Sequence, residues 1–107
     1  MDNDSYLEEE IRAGKRVFKI TSVLPNGTTK EIDMVNTFED YEKKVKTHLY
    51  TPLLFKLNFK DRIGYLYGCF NNHFGVARTE IFTIYTRLIN TSEWKEWYTF
   101  MPQVDII

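Results

Sequence analysis

The chain has 107 residues, 43% of them apolar and 27% charged, which predicts one folded domain over residues 1–107 and excludes a disordered chain. A net charge of −1, from 14 basic and 15 acidic residues, gives no strong nucleic-acid signal. The single Cys69 excludes an internal disulfide scaffold. No N-terminal apolar stretch reads as a signal peptide, and no run of roughly 18 apolar residues reads as a membrane span. The expectation is a soluble chain made in a cytoplasm and not secreted by a signal peptide.

In chain order, residues 4–13 predict a short helix. Ser5 serves as its cap with Glu8 three residues on, Tyr6, Leu7 and Ile11 form an apolar stripe, and Gly14 is the stop. Residues 15–36 predict a hairpin. A two-residue Asn26-Gly27 loop would set Ile20 against Asp33, a charge opposite a core residue. A three-residue loop from Pro25 to Gly27 sets Ile20 against Ile32, Phe18 against Met34, Lys19 against Asp33 and Thr21 against Glu31. It separates an apolar face from a charge-paired one, so it is preferred. Gly27 takes the left-handed position of that turn.

Residues 37–50 predict the second helix. Thr37 caps it, Asp40 completes a capping box, and Phe38, Tyr41, Val45, His48 and Leu49 line the buried stripe. Alternation at Leu53, Phe55, Leu57 and Phe59 predicts a strand over 53–59, with a turn at 60–62 and a further strand over 63–70. In that strand Gly64 and Gly68 mark bulges or close approaches. Residues 71–75 predict a loop, 76–88 a long strand, 89–93 a turn and 94–101 the last strand. The sum is an α+β fold: two short helices and about six mostly antiparallel strands, with helix 37–50 packed on the sheet.

Nothing in the chain assembles a catalytic constellation. There is no nucleophile elbow and no glycine-rich phosphate loop, and its acids cannot be resolved into a catalytic pair. His48 reads as a partly buried helix residue and His73 as a loop residue. Cys69, in the apolar run YLYGCF, reads as a small buried hydrophobe. Neither a metal site nor a cofactor is expected. The lysines at 43, 44 and 46 are interleaved with acids and read as a solvated helix face. The Asn26-Gly27-Thr28 and Asn90-Thr91-Ser92 triplets read as turns, not glycosylation sites.

Seventeen aromatic residues, 16% of the chain, are the compositional outlier, and both tryptophans fall in the last hairpin. Pairing Leu88 with Trp94 sets Ile84 opposite Tyr98, Phe82 opposite Phe100, Thr83 opposite Thr99 and Tyr85 opposite Trp97. Phe82, Ile84, Leu88, Trp94, Tyr98 and Phe100 then form a core face. Thr83, Tyr85, Arg87, Lys95, Trp97 and Thr99 form a mixed face. On it, Tyr85, Arg87, Lys95 and Trp97 are the candidate contact residues, suited to stack on sugar rings or anchor a protein contact. The competing reading has Trp97 bracing the fold.

The pattern Ile84-Tyr85-x-Arg87, a polar turn, then Trp94-x-x-Trp97 resembles the end of tail-fibre knob domains of phages and phage-tail-like bacteriocins. Thr51, Pro52 and Phe55 resemble the Thr-Pro-led strand that opens many such modules. The match spans at most residues 35–100, and the helix at 37–50 and everything before it have no counterpart. The resemblance implies a non-enzymatic virion component that contacts a cell-surface glycan or a neighbouring tail protein, as a homo-oligomer or part of a larger assembly. The alternative is a small cytoplasmic inhibitor or immunity-type protein that binds and blocks a partner protein.

Overall fold

The computed structural model describes residues 5–23, 27–31, 35–47, 52–69 and 81–101, with side chains at all of these except 29–31, 52, 53, 68 and 69. The element order is α1 (Ser5–Arg12), β1 (Arg16–Val23), β2 (Thr29–Glu31), α2 (Phe38–Lys46), a 3-10 turn (Pro52–Lys56), α3 (Phe59–Gly64), a π turn (Tyr65–Cys69), β3 (Ile81–Leu88) and β4 (Lys95–Phe100). The strands form one antiparallel sheet in the order β2-β1-β3-β4. The fold is therefore α+β.

Helix α1 ends as its sequence predicts. Gly14 sits at φ +79°, its N–H donates to Ile11 O, and the Lys15 N–H donates to Glu10 O, so the last carbonyls are satisfied by a left-handed glycine. Its start differs from expectation. Ser5 is already helical, and Glu8 accepts from Arg12 Nε at 3.2 Å, one turn on. Leu7 and Ile11 are fully buried where α1 packs on β1, and burial of each such side chain contributes about 1.5–3 kcal/mol.

The first hairpin keeps the predicted register near its turn, where Thr21 pairs with Glu31 and Gly27 has φ +88°. Phe18 is expected opposite Met34, which lies outside the described residues. Phe18 instead exchanges both backbone hydrogen bonds with Asn36, at 2.9 and 2.8 Å. Three steps along β1 thus answer five along the returning chain, so two extra residues are accommodated between Glu31 and Asn36. The expected partners Ile32, Asp33 and Met34 lie outside the described residues.

Helix α2 carries the full capping box. Asp40 N–H donates to Thr37 Oγ1 at 3.2 Å, and Thr37 N–H donates to Asp40 Oδ2 at 2.8 Å. The helix closes at Thr47, earlier than the expected 50; His48, Leu49 and Tyr50 lie outside the described residues. Tyr41 is its buried residue. It meets Phe59 of α3 edge-on at 4.9 Å, and its hydroxyl accepts from Arg62 Nη1 at 3.2 Å. The described contacts of α2 run to α3, to Arg12 of α1 through Phe38 (5.6 Å) and to Tyr67 of the π turn through Lys44 (4.8 Å).

The two strands expected over 53–59 and 63–70 are helical in the described residues, a correction to the six-strand count. The alternation expected at 53–59 holds for burial only in part: Phe59 is buried and Leu57 half-buried, but Leu54 is core and Phe55 is exposed. Asn58 caps α3 by accepting from Asp61 N–H at 2.9 Å, which explains why 60–62 is a helical turn and not a loop. Phe59, Ile63, Leu66 and Tyr67 are all buried, at spacings of four, three and one. A continuous apolar run buried on most sides carries no periodicity that separates helix from strand. Arg62 ties this segment down, donating to Leu54 O at 3.2 Å and Leu57 O at 2.8 Å.

These helices meet one face of the sheet. Phe18, Ile20, Phe82, Ile84 and Phe100 join Leu7, Ile11, Leu54, Phe59, Ile63, Tyr65, Leu66 and Tyr67 in a single buried cluster. Phe18 meets Tyr67 edge-on at 5.4 Å, and Tyr65 meets Phe100 at 4.9 Å. Among the described residues, no helix is long and apolar enough to cross a membrane.

Candidate contact site on the outer sheet face

β3 and β4 pair as expected at one end: Phe82 with Phe100, Thr83 with Thr99, Ile84 with Tyr98. The register then slips by one, so Tyr85 faces Glu96 and Thr86 faces Lys95. Trp97 is the extra residue of a β-bulge. A bulge places two residues opposite one, so the strict alternation of faces breaks at that point.

The consequence reverses the two tryptophans. Trp97, expected on the contact face, is 5% exposed and packs 6.0 Å from Phe59 within the core. Trp94, expected in the core, is half-buried on the outer face. The expected pairing of Tyr85 with Trp97 does not exist. Lys95 also leaves the predicted set: its Nζ donates to the Tyr6 hydroxyl of α1 at 3.2 Å. Of the four predicted contact residues, Tyr85 and Arg87 share the outer face, and Lys95 and Trp97 do not join them.

What gathers around Tyr85 and Arg87 is Trp94 and Lys19. β1 pairs with β3 so that Lys19 lies opposite Tyr85 and Val17 opposite Arg87. The Lys19 ammonium stands 4.6 Å from the Trp94 ring centre and 5.9 Å from that of Tyr85. The Arg87 guanidinium stands 4.9 Å from the same Trp94 ring. Two cations therefore engage one indole, an arrangement worth about 0.5–1 kcal/mol per exposed pair. Lys19 is absent from the hairpin-only prediction because its place depends on β1 and β3 being neighbours, a long-range pairing.

Arg87 also fastens the connection between the strands. Its Nη1 donates to the carbonyls of Leu88 (3.2 Å), Ile89 (3.2 Å) and Thr91 (2.9 Å). Thr91 N–H and hydroxyl both donate to Leu88 O at 3.1 Å, and Ile89 N–H donates to Lys15 O at 3.0 Å. The backbone beneath Trp94 is thus held by three carbonyl contacts and a tie to the loop after α1.

Elsewhere, a shallow cleft of about 380 Å³ lies along α2, lined by Asn36, Asp40, Lys43, Lys44, Thr47 and Tyr67. Asp40 and Thr47 there are committed to helix caps, and Lys43 pairs with Glu39 at 3.4 Å. Among the described residues no group of three or more His, Cys, Asp or Glu side chains could hold a metal ion. His48 and His73 lie outside the described residues; Cys69 has its backbone in the π turn, its side chain undescribed.

One acid–phenol pair stands on the inner side. The Tyr98 hydroxyl donates to Asp61 Oδ1 at 2.6 Å. Burial first, then the hydrogen bond and the charge of Asp61, push the phenol up to about 12. A phenol held neutral in this way is a structural donor and a poor proton acceptor.

No family model, curated protein or solved structure matches this chain.

Proposed function

We propose that this chain is a non-enzymatic binding module whose contact surface is the outer sheet face at Lys19, Tyr85, Arg87 and Trp94. The observation that carries the reading is the indole of Trp94 with two cations over its ring, beside Tyr85, on a connection pinned by Arg87. Trp, Tyr and Arg are the side chains that dominate protein-contact energetics, and a held backbone lowers the ordering cost of binding.

A protein partner is favoured over a glycan. Sugar stacking uses an open ring face, whereas the Trp94 ring already has cation neighbours at 4.6 and 4.9 Å. The tail-fibre resemblance supplies one setting for such a contact, a neighbouring virion protein.

The test compares wild type with Trp94→Ala, Tyr85→Ala and Lys95→Ala for retention of a partner from host or phage lysate, with a glycan array in parallel. The first two variants lose the partner by about tenfold or more, and Lys95→Ala does not. Retention unchanged in Trp94→Ala and Tyr85→Ala sinks the assignment, as does glycan binding with no protein retained.

A further inference from the structure

Among the described residues, the cations of the outer face have no carboxylate partner. The ion pairs among the described residues are Arg12–Glu8, Arg16–Glu10 and Lys43–Glu39; neither Lys19 nor Arg87 takes part. Arg87 spends Nη1 on three carbonyls, and among the described residues Nε and Nη2 have no acceptor. Among the described residues, Lys19 meets only the two rings. Among the side chains described, the neighbouring acids are Glu96, across from Tyr85 and exposed, and Glu93, exposed in the connection, and neither carboxylate comes within ion-pair distance of the two cations; the Glu31 side chain and Asp33 lie outside those described.

Resting on the binding face proposed above, we infer that its partner presents an acidic polypeptide segment. Carboxylates of that segment meet Lys19 Nζ and the Nε–Nη2 edge of Arg87, and an apolar side chain lies against Tyr85 and the edge of Trp94. The guanidinium edge is a fixed fork that matches a carboxylate in a bidentate contact. A continuous polyanion fits less well, because Glu96 and Glu93 would face its charges. A polypeptide can space its carboxylates to avoid them.

The experiment is a surface array of equal-length acidic, neutral and basic peptides, each class with and without aromatic residues, together with a sulfated oligosaccharide. It is probed with the full chain at two salt concentrations. Acidic peptides are retained, less so at high salt. Lys19→Glu weakens retention about tenfold, Lys19→Arg restores it, and Lys46→Glu, the same charge change on α2, leaves it unchanged. Retention lost equally in Lys46→Glu and Lys19→Glu shows a generic charge effect and overturns the inference. Neutral or basic peptides bound through Trp94 overturn the inference and keep the binding face. Retention of the oligosaccharide alone overturns the partner class. Binding by no probe, or binding indifferent to Trp94→Ala, overturns the face as well.

Discussion

Phe100 lies flat against the backbone of Gly64: a methyl group built on that glycine would sit 2.6 Å from two carbons of the ring. The contact joins the end of α3 to the end of β4 with no room for a side chain between them. Gly64→Ala should therefore cost about 1–3 kcal/mol in a denaturant melt. Combining it with Phe100→Ala should give less than the sum of the two single losses, because alanine lacks the ring carbons that the methyl meets. Strict additivity would show that the ring is not what the methyl meets.

The two tryptophans should separate in stability and in solvent access. Trp97→Ala empties a core position and should cost about 3–5 kcal/mol, whereas Trp94→Ala gives up surface cation contacts and should cost about 1–2 kcal/mol. Because the buried Trp97 indole N–H has no acceptor among the described residues, Trp97→Phe should be markedly milder than Trp97→Ala. Acrylamide should quench the fluorescence of Trp97→Phe efficiently and that of Trp94→Phe poorly. The opposite order would place the wrong tryptophan in the core.

Loss of the capping box should destabilise α2 in a pH-dependent way. The Thr37 N–H holds the Asp40 carboxyl below its ordinary 3.8; burial opposes this, and the Thr37 hydroxyl and Lys43 add to it. A carboxyl lowered in the fold contributes stability above its ordinary value, and that contribution is lost as pH falls through the lowered one. Asp40→Asn should therefore be less stable than wild type at neutral pH, with the gap closing in acid. Thr37→Ala should cost about 1 kcal/mol. A gap between Asp40→Asn and wild type that is constant down to strongly acidic pH would contradict the hydrogen-bond origin.

Tyr98 should ionise late on the folded protein, near 12. A phenol raised in the fold contributes stability fully present below its ordinary value of 10 and lost as pH rises through about 12. Tyrosinate absorbance during alkaline titration should show a late step that vanishes in Tyr98→Phe and moves down in Asp61→Asn. The absence of any step near 12 on the folded chain would rule out the pair.

Arg62 joins three segments through Leu54 O, Leu57 O and the Tyr41 hydroxyl, so Arg62→Ala should cost about 2–3 kcal/mol. Arg62→Lys should recover only part, since one ammonium cannot reproduce the fork. A full recovery by lysine would mean that charge, not geometry, holds the segment.

Local signals were legible wherever they act over a few residues. Gly14, Gly27 and the Thr37–Asp40 box were readable because left-handed backbone and orphan helix N–H groups demand particular residue types within one turn. The ends of the last hairpin were readable because Phe82, Ile84, Tyr98 and Phe100 alternate with polar neighbours. The run from 53 to 69 was not readable, since a helix buried on most sides shows the same apolar density as a buried strand. Asn58, three residues before Asp61, was the one available signal for α3, and alternation at 53–59 outweighed it.

The contact site divides along the same line. Composition and hairpin spacing by themselves determined an α+β domain with an aromatic last hairpin, and drew attention to Tyr85 and Arg87. Tertiary structure alone decided that Trp97 is core and Trp94 is surface, because one bulge residue opposite Tyr85 shifts the register and moves the intervening side chains to the other face. It alone brought Lys19 over Trp94, because β1 and β3 are distant in the chain and adjacent in the sheet.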